Sequence, residues 1–346
     1  MKKAFMAKPR SLNSLCLGSN LFLIGETCYH TQKSLCMSAE YSSFAGWEKN
    51  LKLSNSFAEV IVTLDVGPRI ISYRPAKGRT VFKLVNDQAG KSGEEEWKIR
   101  GGHRLWTAPE DFGKDDSFCY ALDNSEVEHA IGDDFTVRVS NLIVKPARIR
   151  REMIIKLAEA SPKVTVEHRI VHEAGDSLEV APWGLSVMAP GGYAVLSHPQ
   201  FGTHPADYLP NRVMVIWPFT DLSDRRFRVG RRILRLTQSE GDPFKIGLRH
   251  PEGWAAYVLG DHLFIKSVPL IEGATYPDMG SNFETFTNSE FLELETLGPL
   301  KRISAGETLV HTESWVVFSG VSLPDAEDEE AFLKALEPYR RKLSES

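Results

Sequence analysis

One segment of the chain alternates two sets of side chains without a break. In residues 163–171, Val164, Val166, His168 and Ile170 alternate with Thr165, Glu167, Arg169 and Val171. A repeat of two residues is the period of a β-strand, whose successive side chains point to opposite faces of the sheet. The alternation therefore predicts a strand with one buried face and one face in water.

Many other short runs are typical of strands, because each is rich in β-branched or aromatic residues and ends near Gly, Pro, Asn or Asp. They are residues 58–64, 69–73, 80–84, 135–139, 151–157, 177–181, 193–197, 212–217, 254–259, 262–268, 291–296 and 308–318. So many strands without helices between them need two stacked sheets or a barrel. We predict an all-β fold, built as one large sandwich of antiparallel sheets.

The strong helical pattern lies at the C-terminus. Pro324 and Asp325 open an acidic first turn. Apolar side chains then recur at helical spacing at Phe332, Leu333, Leu336, Tyr339 and Leu343. Pro338 is expected to kink or split the helix. Residues 38–322 contain no Pro/Gly/Ser linker, repeat or low-complexity run. We therefore predict a single β domain over 38–322 and a helical extension over 323–346.

Charge and hydropathy exclude two classes of protein. The 41 Lys and Arg residues and 46 Asp and Glu residues give a net charge of −5, and the basic residues do not cluster on one helix or arm. A nucleic-acid binder would carry a basic face. No window approaches the roughly 20 uninterrupted apolar residues of a membrane span. We expect neither nucleic acid nor a membrane as a partner.

Residues 1–37 differ from the rest in their cysteine content, since Cys16, Cys28 and Cys36 precede Met37 and only Cys119 follows. The segment lacks strand periodicity, so we expect it to be disordered, or upstream of a natural start at Met37, and not needed for folding. A start at Met37 predicts a cytoplasmic protein. An atypical signal peptide is the alternative, because four basic residues precede a partly apolar stretch.

Residues 100–110 form the first candidate site. Paired glycines precede His103, Arg104 and Trp106, which offer a proton carrier, a hydrogen-bonding fork and a flat apolar face. Functional groups are common on loops held by a rigid scaffold, so we predict a loop on a ligand face. A structural turn with an ordinary surface Arg is the alternative.

The second and third candidate sites lie later in the chain. Trp183 can stack on a sugar ring, although it can equally belong to the sandwich core. On a strand, Glu293 and Glu295 point to one face about 7 Å apart, where they could serve as a general base, bind Ca²⁺ or face water. Polar side chains also crowd the neighbouring segments, at Asn282, Glu284, Asn288, His311 and Glu313.

Motifs of other enzyme classes are missing from the sequence. There is no phosphate loop, no GxGxxG after a strand, no GxSxG elbow, and no HExxH or paired CxxC pattern. Dispersed His residues could still meet in the fold. We predict no cofactor and no metal.

Several of these segments together resemble the galactose mutarotase-like (aldose 1-epimerase) superfamily. Residues 291–300, 303–307 and 311–318 are similar to its closing strands, and residues 65–72 are similar to its early Gly-containing hairpin. The segments 101–110, 186–192 and 280–288 are more similar still to a bacterial branch of it. The resemblance covers residues 38–318 and implies a β-supersandwich with an open sugar-binding face.

The resemblance also implies a chemistry. Aldose epimerases use a Glu to remove the proton of the anomeric hydroxyl, while a His protonates the ring oxygen. By position in the motif, Glu295 is the base and His103 is the nearest counterpart of the acid. The second His of the family has no counterpart at residues 185–188. The expected substrate-binding residues are Arg104, Trp106, Trp183, Asn282, Glu284, Glu293 and His311.

The leading hypothesis is a carbohydrate-active protein that binds a small-molecule carbohydrate, with aldose 1-epimerase (an isomerase) as its specific form. A non-catalytic carbohydrate-binding protein is the rival, so whether the chain is an enzyme stays open. A glycoside hydrolase or lyase would need a second carboxylate near the first, which Glu293, Glu284 or Glu313 could supply. The sequence does not predict the sugar or the oligomeric state.

Overall fold

Strands account for most of the regular structure, as the period of two predicts. The computed structural model describes residues 37–110, 123–141 and 149–345. Its strands are β1 Ser38–Phe44, β2 Trp47–Ser54, β3 Ala58–Thr63, β4 Arg69–Pro75, β5 Gly102–Ala108, β6 Glu128–Ile131, β7 Val137–Ser140, β8 Ile149–Leu157, β9 Val164–His172, β10 Leu178–Met188, β11 Tyr193–Ser197, β12 Val213–Ile216, β13 Phe227–Val229, β14 Ile233–Thr237, β15 Phe244–Arg249, β16 Trp254–Leu259, β17 His262–Ser267, β18 Phe283–Thr287, β19 Leu292–Leu297, β20 Lys301–Ile303 and β21 Thr308–Phe318.

The strands form two antiparallel sheets. Sheet 1 has the order β1-β2-β3-β4-β5-β10-β19-β18-β15-β12, with β20 paired to one end of β10. Sheet 2 has the order β13-β14-β11-β16-β17-β21-β9-β8-β7-β6. The two sheets pack face to face as a large sandwich, so the all-β fold of antiparallel sheets expected from the sequence is confirmed.

The core lies between the sheets and contains a group of aromatic rings. Tyr73 and Phe82 come from the sheet 1 side, and Phe264 and Trp315 come from sheet 2. Their ring centroids are 5.7 to 6.4 Å apart. Contacts at this spacing stabilise a core beyond the area they bury. The aromatic group therefore holds the two sheets in one fixed relation.

The C-terminal helix, α1 Glu329–Arg340, packs on the outer side of sheet 2. Its N-cap is Asp328, whose side chain accepts a hydrogen bond from the Ala331 N–H. Phe332 and Leu336 are buried against a cluster that includes Trp254. The helix begins later than Pro324, because the side chain of Asp328 caps it by accepting from one of its free backbone N–H groups. Pro338 lies inside its last turn, before a 3₁₀ turn at Arg341–Leu343.

Some boundaries differ from the sequence prediction. The strands Tyr193–Ser197, Trp254–Leu259 and Thr308–Phe318 are confirmed to the residue. Residues 80–84 were expected to form a strand but contribute only isolated bridges at Phe82 and Leu84. The predicted loop at residues 100–110 is wrong, because its central part is the buried strand β5. Residues 1–36 and Cys119 lie outside the described residues. Within residues 37–110, 123–141 and 149–345, no helix is long and apolar enough to cross a membrane.

The packing of α1 gives a test of the fold. Phe332 is fully buried, so Phe332→Ala should lower the free energy of unfolding by about 3–5 kcal/mol through lost burial and a cavity. Lys334→Ala, on the exposed side of the same helix, should change it by less than about 0.5 kcal/mol. Urea unfolding measures both values. Equal effects of the two substitutions would contradict the docking of the helix.

Candidate functional site

Strand register places a row of side chains across the outer face of sheet 1, the face turned away from sheet 2. Arg104 on β5 lies opposite Leu185 on β10, which lies opposite Glu295 on β19, which lies opposite Glu284 on β18. Directly opposed residues of antiparallel strands point to the same face. Residues separated by more than 100 positions in the sequence are therefore neighbours on one surface.

Flanking rows complete what we call the outer-face site. Trp106 lies opposite Trp183, and Glu293 lies opposite Phe286, which in turn lies opposite Lys245. The site is defined by Arg104, Trp106, Trp183, Lys245, Glu284, Glu293 and Glu295. All seven side chains are buried.

Ion pairs link the charged groups of the outer-face site. The Arg104 guanidinium lies 3.0 Å from Glu293. The Lys245 ammonium lies 2.8 Å from Glu284 and 3.0 Å from Glu295. Glu284 and Glu295 therefore contact the same Nζ atom, which keeps their carboxyl groups close together.

Indole rings border these charges. The Arg104 guanidinium lies 4.1 Å from the centre of the Trp106 ring, and Trp183 Nε1 donates a hydrogen bond of 2.9 Å to Glu295 Oε2. Lys245 Nζ lies 4.7 Å from the Trp183 ring and 4.8 Å from that of Trp217, which is only partly buried. Cations at these distances are attracted to the ring faces. Trp217 forms part of the rim of the site.

Burial changes the proton affinity of the acidic groups. Desolvation raises the pKa of Glu284 well above its usual value, and the nearby charges of Glu295 and Asp278 raise it further against the opposing effect of Lys245. Desolvation also raises the pKa of Glu293, although Arg104 opposes it. Burial alone would lower the pKa of Lys245, but the two carboxylates beside it raise it overall. Burial thus biases Glu284 toward its protonated form.

Several buried polar atoms of the site have no hydrogen-bond partner within the described ranges. They are Nε and Nη1 of Arg104, Oε1 of Glu284 and Oε1 of Glu295. Leaving a buried donor or acceptor unpaired costs about 1–3 kcal/mol. A molecule that supplies both acceptors and donors at this point would remove that cost.

His103 lies on the other side of sheet 1. Its neighbour Arg104 faces outward, so His103 faces sheet 2, where its Nδ1 lies 2.9 Å from Ser186 Oγ and its Nε2 lies 2.7 Å from His168 Nε2. Glu295 is on the outer face. This placement corrects the expected acid and base pair, because consecutive residues of a strand point to opposite faces and the sheet separates the two groups.

A second polar cluster, which we call the inner network, surrounds His103 between the sheets. Lys266 Nζ lies 3.0 Å from Glu313 Oε1, and Trp315 Nε1 donates a hydrogen bond of 2.6 Å to Glu313 Oε2. Thr296 Oγ1 hydrogen-bonds both Glu313 and, at 2.8 Å, His311 Nε2. The inner network comprises His103, His168, Ser186, Lys266, Thr296, His311, Glu313 and Trp315.

Close packing of this network requires a glycine in β10. A Cβ at Gly184 would lie 2.6 Å from Glu313 Oε1 and 3.3 Å from Thr296 Oγ1. Both atoms belong to buried, hydrogen-bonded groups that have little room to move. Gly184 therefore lets β10 approach the buried carboxylate of Glu313.

Three members of the inner network have the spacing of metal ligands. One atom each of His103, His168 and Glu313 lies within 4.8 Å of the others. Lys266, however, already places a cation 3.0 Å from Glu313, and both nitrogens of each of these two His rings have hydrogen-bond partners. The ion pair and these hydrogen bonds favour a polar cluster whose groups bond one another over a metal site.

The structure divides the residues expected from the sequence. Six lie in the outer-face site, namely Arg104, Trp106, Trp183, Glu284, Glu293 and Glu295. His103 and His311 belong to the inner network. The Asn282 side chain hydrogen-bonds the backbone N–H and C=O of His250, so it has a structural role. Sequence analysis missed Lys245, since a lone Lys in a strand is usually a solvated residue.

The fold is similar to the folds of several solved structures. A galactose mutarotase-like protein from Lactobacillus casei aligns with 78% of this chain and 100% of its own, with a TM-score of 0.52 and 13% identity. A protein from Klebsiella pneumoniae, provisionally assigned as an aldose 1-epimerase, aligns with 87% of this chain and 88% of its own, with a TM-score of 0.55 and 11% identity.

A galactose mutarotase related enzyme from Lactobacillus acidophilus gives a TM-score of 0.50 at 11% identity, over 79% of this chain and 98% of its own. No protein-family model matches the sequence, and no curated protein matches it. At these identities the likeness establishes the fold alone. The fold is that of galactose mutarotase-like proteins.

Burial of the inner network predicts a dependence of stability on pH. Desolvation lowers the pKa of His311 to about 3, from an ordinary value near 6.5. Below pH 6.5 the unfolded chain binds a proton at this His that the folded chain does not bind. The contribution of this neutral His to the free energy of unfolding is therefore fully present above pH 6.5. For each such His, the free energy of unfolding falls by up to ~1.4 kcal/mol per pH unit as the pH drops from 6.5 toward the pKa of the His in the folded chain.

We expect His311→Gln to lose stability less steeply than the wild type between pH 6.5 and pH 4.5, because it lacks this proton uptake. His129→Gln changes an exposed His on β6 and should keep the slope of the wild type. Urea unfolding at several pH values measures the slopes. A slope for His311→Gln equal to that of the wild type would refute the assignment.

Proposed function

We propose that the outer-face site binds an uncharged sugar and that the protein is an aldose 1-epimerase. The observation that carries this proposal is the convergence of unpartnered buried atoms, Arg104 Nε and Nη1 with Glu284 Oε1 and Glu295 Oε1, in one site bordered by indole rings. A sugar hydroxyl both donates and accepts hydrogen bonds, so a ring with several hydroxyls can satisfy both kinds of atom.

The charge balance of the site favours a neutral ligand. With Glu284 protonated, the two carboxylates of Glu293 and Glu295 are matched by the cations of Arg104 and Lys245. The neighbouring Asp278 is partly buried, and this burial raises its pKa and so disfavours a further negative charge. A charged ligand would leave a net charge in a buried site, which is costly. The apolar faces of Trp106 and Trp183 suit the C–H faces of a sugar ring.

The same groups supply an acid and a base. Mutarotation needs a base for the proton on the anomeric hydroxyl and an acid for the ring oxygen, and both oxygens are bonded to one carbon. Glu295 Oε1 is available to accept the first proton. Glu284, protonated through its burial, donates the second, and the ring C–O bond breaks to give the open-chain aldehyde. Rotation of the aldehyde and the reverse transfers close the ring as the other anomer.

Lys245 has a positioning role in this scheme. Its ammonium contacts one oxygen of each carboxyl group, which holds Glu284 and Glu295 together and keeps the other oxygens directed at the ligand. After both transfers Glu295 is neutral and Glu284 is charged, so Lys245 faces one negative charge before and after the exchange. The electrostatic field around the reacting atoms thus changes little during the reaction.

A non-catalytic sugar-binding protein is the second candidate. It is favoured by the position of His103, since no His of the described residues lies in the outer-face site. Both candidates share the binding site and differ only in proton transfer.

Anomer exchange separates the two candidates. NMR on freshly dissolved α-galactose or α-glucose follows the reaction, with spontaneous mutarotation as the baseline. Glu295→Gln keeps the shape of the side chain but removes the base, so the rate should fall by about 10² to 10⁴ while sugar affinity changes little. Glu284→Gln should lower the rate in the same way, because an amide is a far weaker acid than a carboxylic acid.

Glu179→Gln is the matched control, because this exposed Glu lies on β10 outside the site. It should leave both rate and affinity unchanged. A wild-type protein that binds several aldoses without exceeding the spontaneous rate would establish the binding-protein candidate instead. Failure to bind any sugar by titration would remove both.

A further inference from the structure

The open edges of the two sheets meet at one end of the sandwich. Strand β12 is the last strand of sheet 1, and β13 is the last strand of sheet 2 at the same end. Phe244 on β15 packs on Phe227 of β13, with ring centroids 5.0 Å apart, which brings the two sheet ends together. Within the described residues, β12 pairs with one strand, β15. The backbone on the far side of β12 therefore has no strand beside it in the described chain.

This end concentrates exposed apolar side chains. Of the fourteen large apolar side chains that are exposed among the described residues, nine lie between positions 201 and 229. They are Phe201, Tyr208, Leu209, Val213, Met214, Ile216, Phe219, Leu222 and Val229. Exposed apolar side chains grouped on one segment in this number indicate an interaction site on a folded protein.

Strand β12 is short, with four residues, but it lacks the charged and proline residues that protect other edge strands. Its sequence, Val-Met-Val-Ile, has no charge and no proline, and natural edges use such residues to prevent pairing with other chains. Met214 and Ile216 lie opposite Leu248 and Ile246, on the face directed at sheet 2, yet they are 36% and 46% exposed. Sheet 2 does not extend far enough to cover them.

The opposite end of the sandwich is different. The edge strand β1 carries Ser38, Glu40 and Ser42, and the edge strand β6 carries Glu128 and His129. The two strands also contact each other through a hydrogen bond of 3.0 Å between Tyr41 and His129. The unprotected edge is thus a property of the β12 end.

We propose that a second copy of this chain docks on this end, with β12 pairing antiparallel to β12 of the partner. An antiparallel pair of identical strands is related by a two-fold axis, so one strand supplies both sides of the interface. An axis beside Val215 places Met214 opposite the partner's Ile216, on the same face of the joined sheet. The pairing satisfies the free backbone groups and covers both faces of the strand.

The available area agrees with a dimer. A large apolar side chain exposes on the order of 100 Å² when free, so nine that are roughly half exposed offer about 500 Å² of apolar surface. A standard interface buries about 800 Å² per partner, of which about 60% is apolar. The end of the sandwich thus supplies the apolar area that a stable homodimer requires.

The test is the mass of the protein in solution. Sedimentation velocity or light scattering on the full chain between 1 and 100 µM should give a dimer, with a dissociation constant below about 10 µM. The double variant Met214→Lys/Ile216→Lys should raise that constant more than 100-fold. Val310→Lys is the matched control, because Val310 is 51% exposed on β21, far from this end in the strand order, and its dimer should persist.

Circular dichroism and thermal melting check that the variants fold. If the double variant does not fold, Val213→Lys, on the other face of β12, provides the same test with one exposed substitution. A wild type that is monomeric at 100 µM overturns the proposal. A dimer that survives the β12 substitutions also overturns it, since the copies would then meet on another surface.

Discussion

The hydrogen-bonded register of β5, β10, β19 and β18 is the constraint on which the rest of the structure depends. It aligns Arg104, Leu185, Glu295 and Glu284 on one face, and it aligns His103 with Ser186 on the other. A slip of one residue in any of these strands would exchange the two sets. The outer-face site and the inner network are therefore two consequences of a single pairing.

The inner network makes such a slip costly. Lys266 and Glu313 form a fully buried ion pair, and removing one partner of such a pair typically costs about 3–5 kcal/mol. Thr296 lies on the same strand as Glu295 and hydrogen-bonds both Glu313 and His311. The position of β19 is thus fixed from its core side, and Glu295 on its outer side is held with it.

Local pattern was enough to predict an antiparallel sandwich and the shared face of Glu293 and Glu295. A period of two predicts strands wherever one face is buried, and the spacing of Glu293 and Glu295 places both on one face of their strand. The identity of that face, and the residues across from it, depend on pairings between distant segments. His103 shows the limit, because residues 100–110 were interpreted as a loop, where neighbouring side chains can converge. In β5, His103 and Arg104 must diverge. Lys245 was missed for the same reason, since only the fold brings it to Glu284 and Glu295.

The alternation within β19 also has a consequence for how a protein of this architecture can change over evolutionary time. Positions 293 and 295 face the outer-face site, whereas 292, 294 and 296 belong to the core side. Substitutions at the first pair change the groups of that site and leave the core contacts of the strand in place. The strand therefore carries two sets of residues that can vary separately, at alternating positions within one six-residue element.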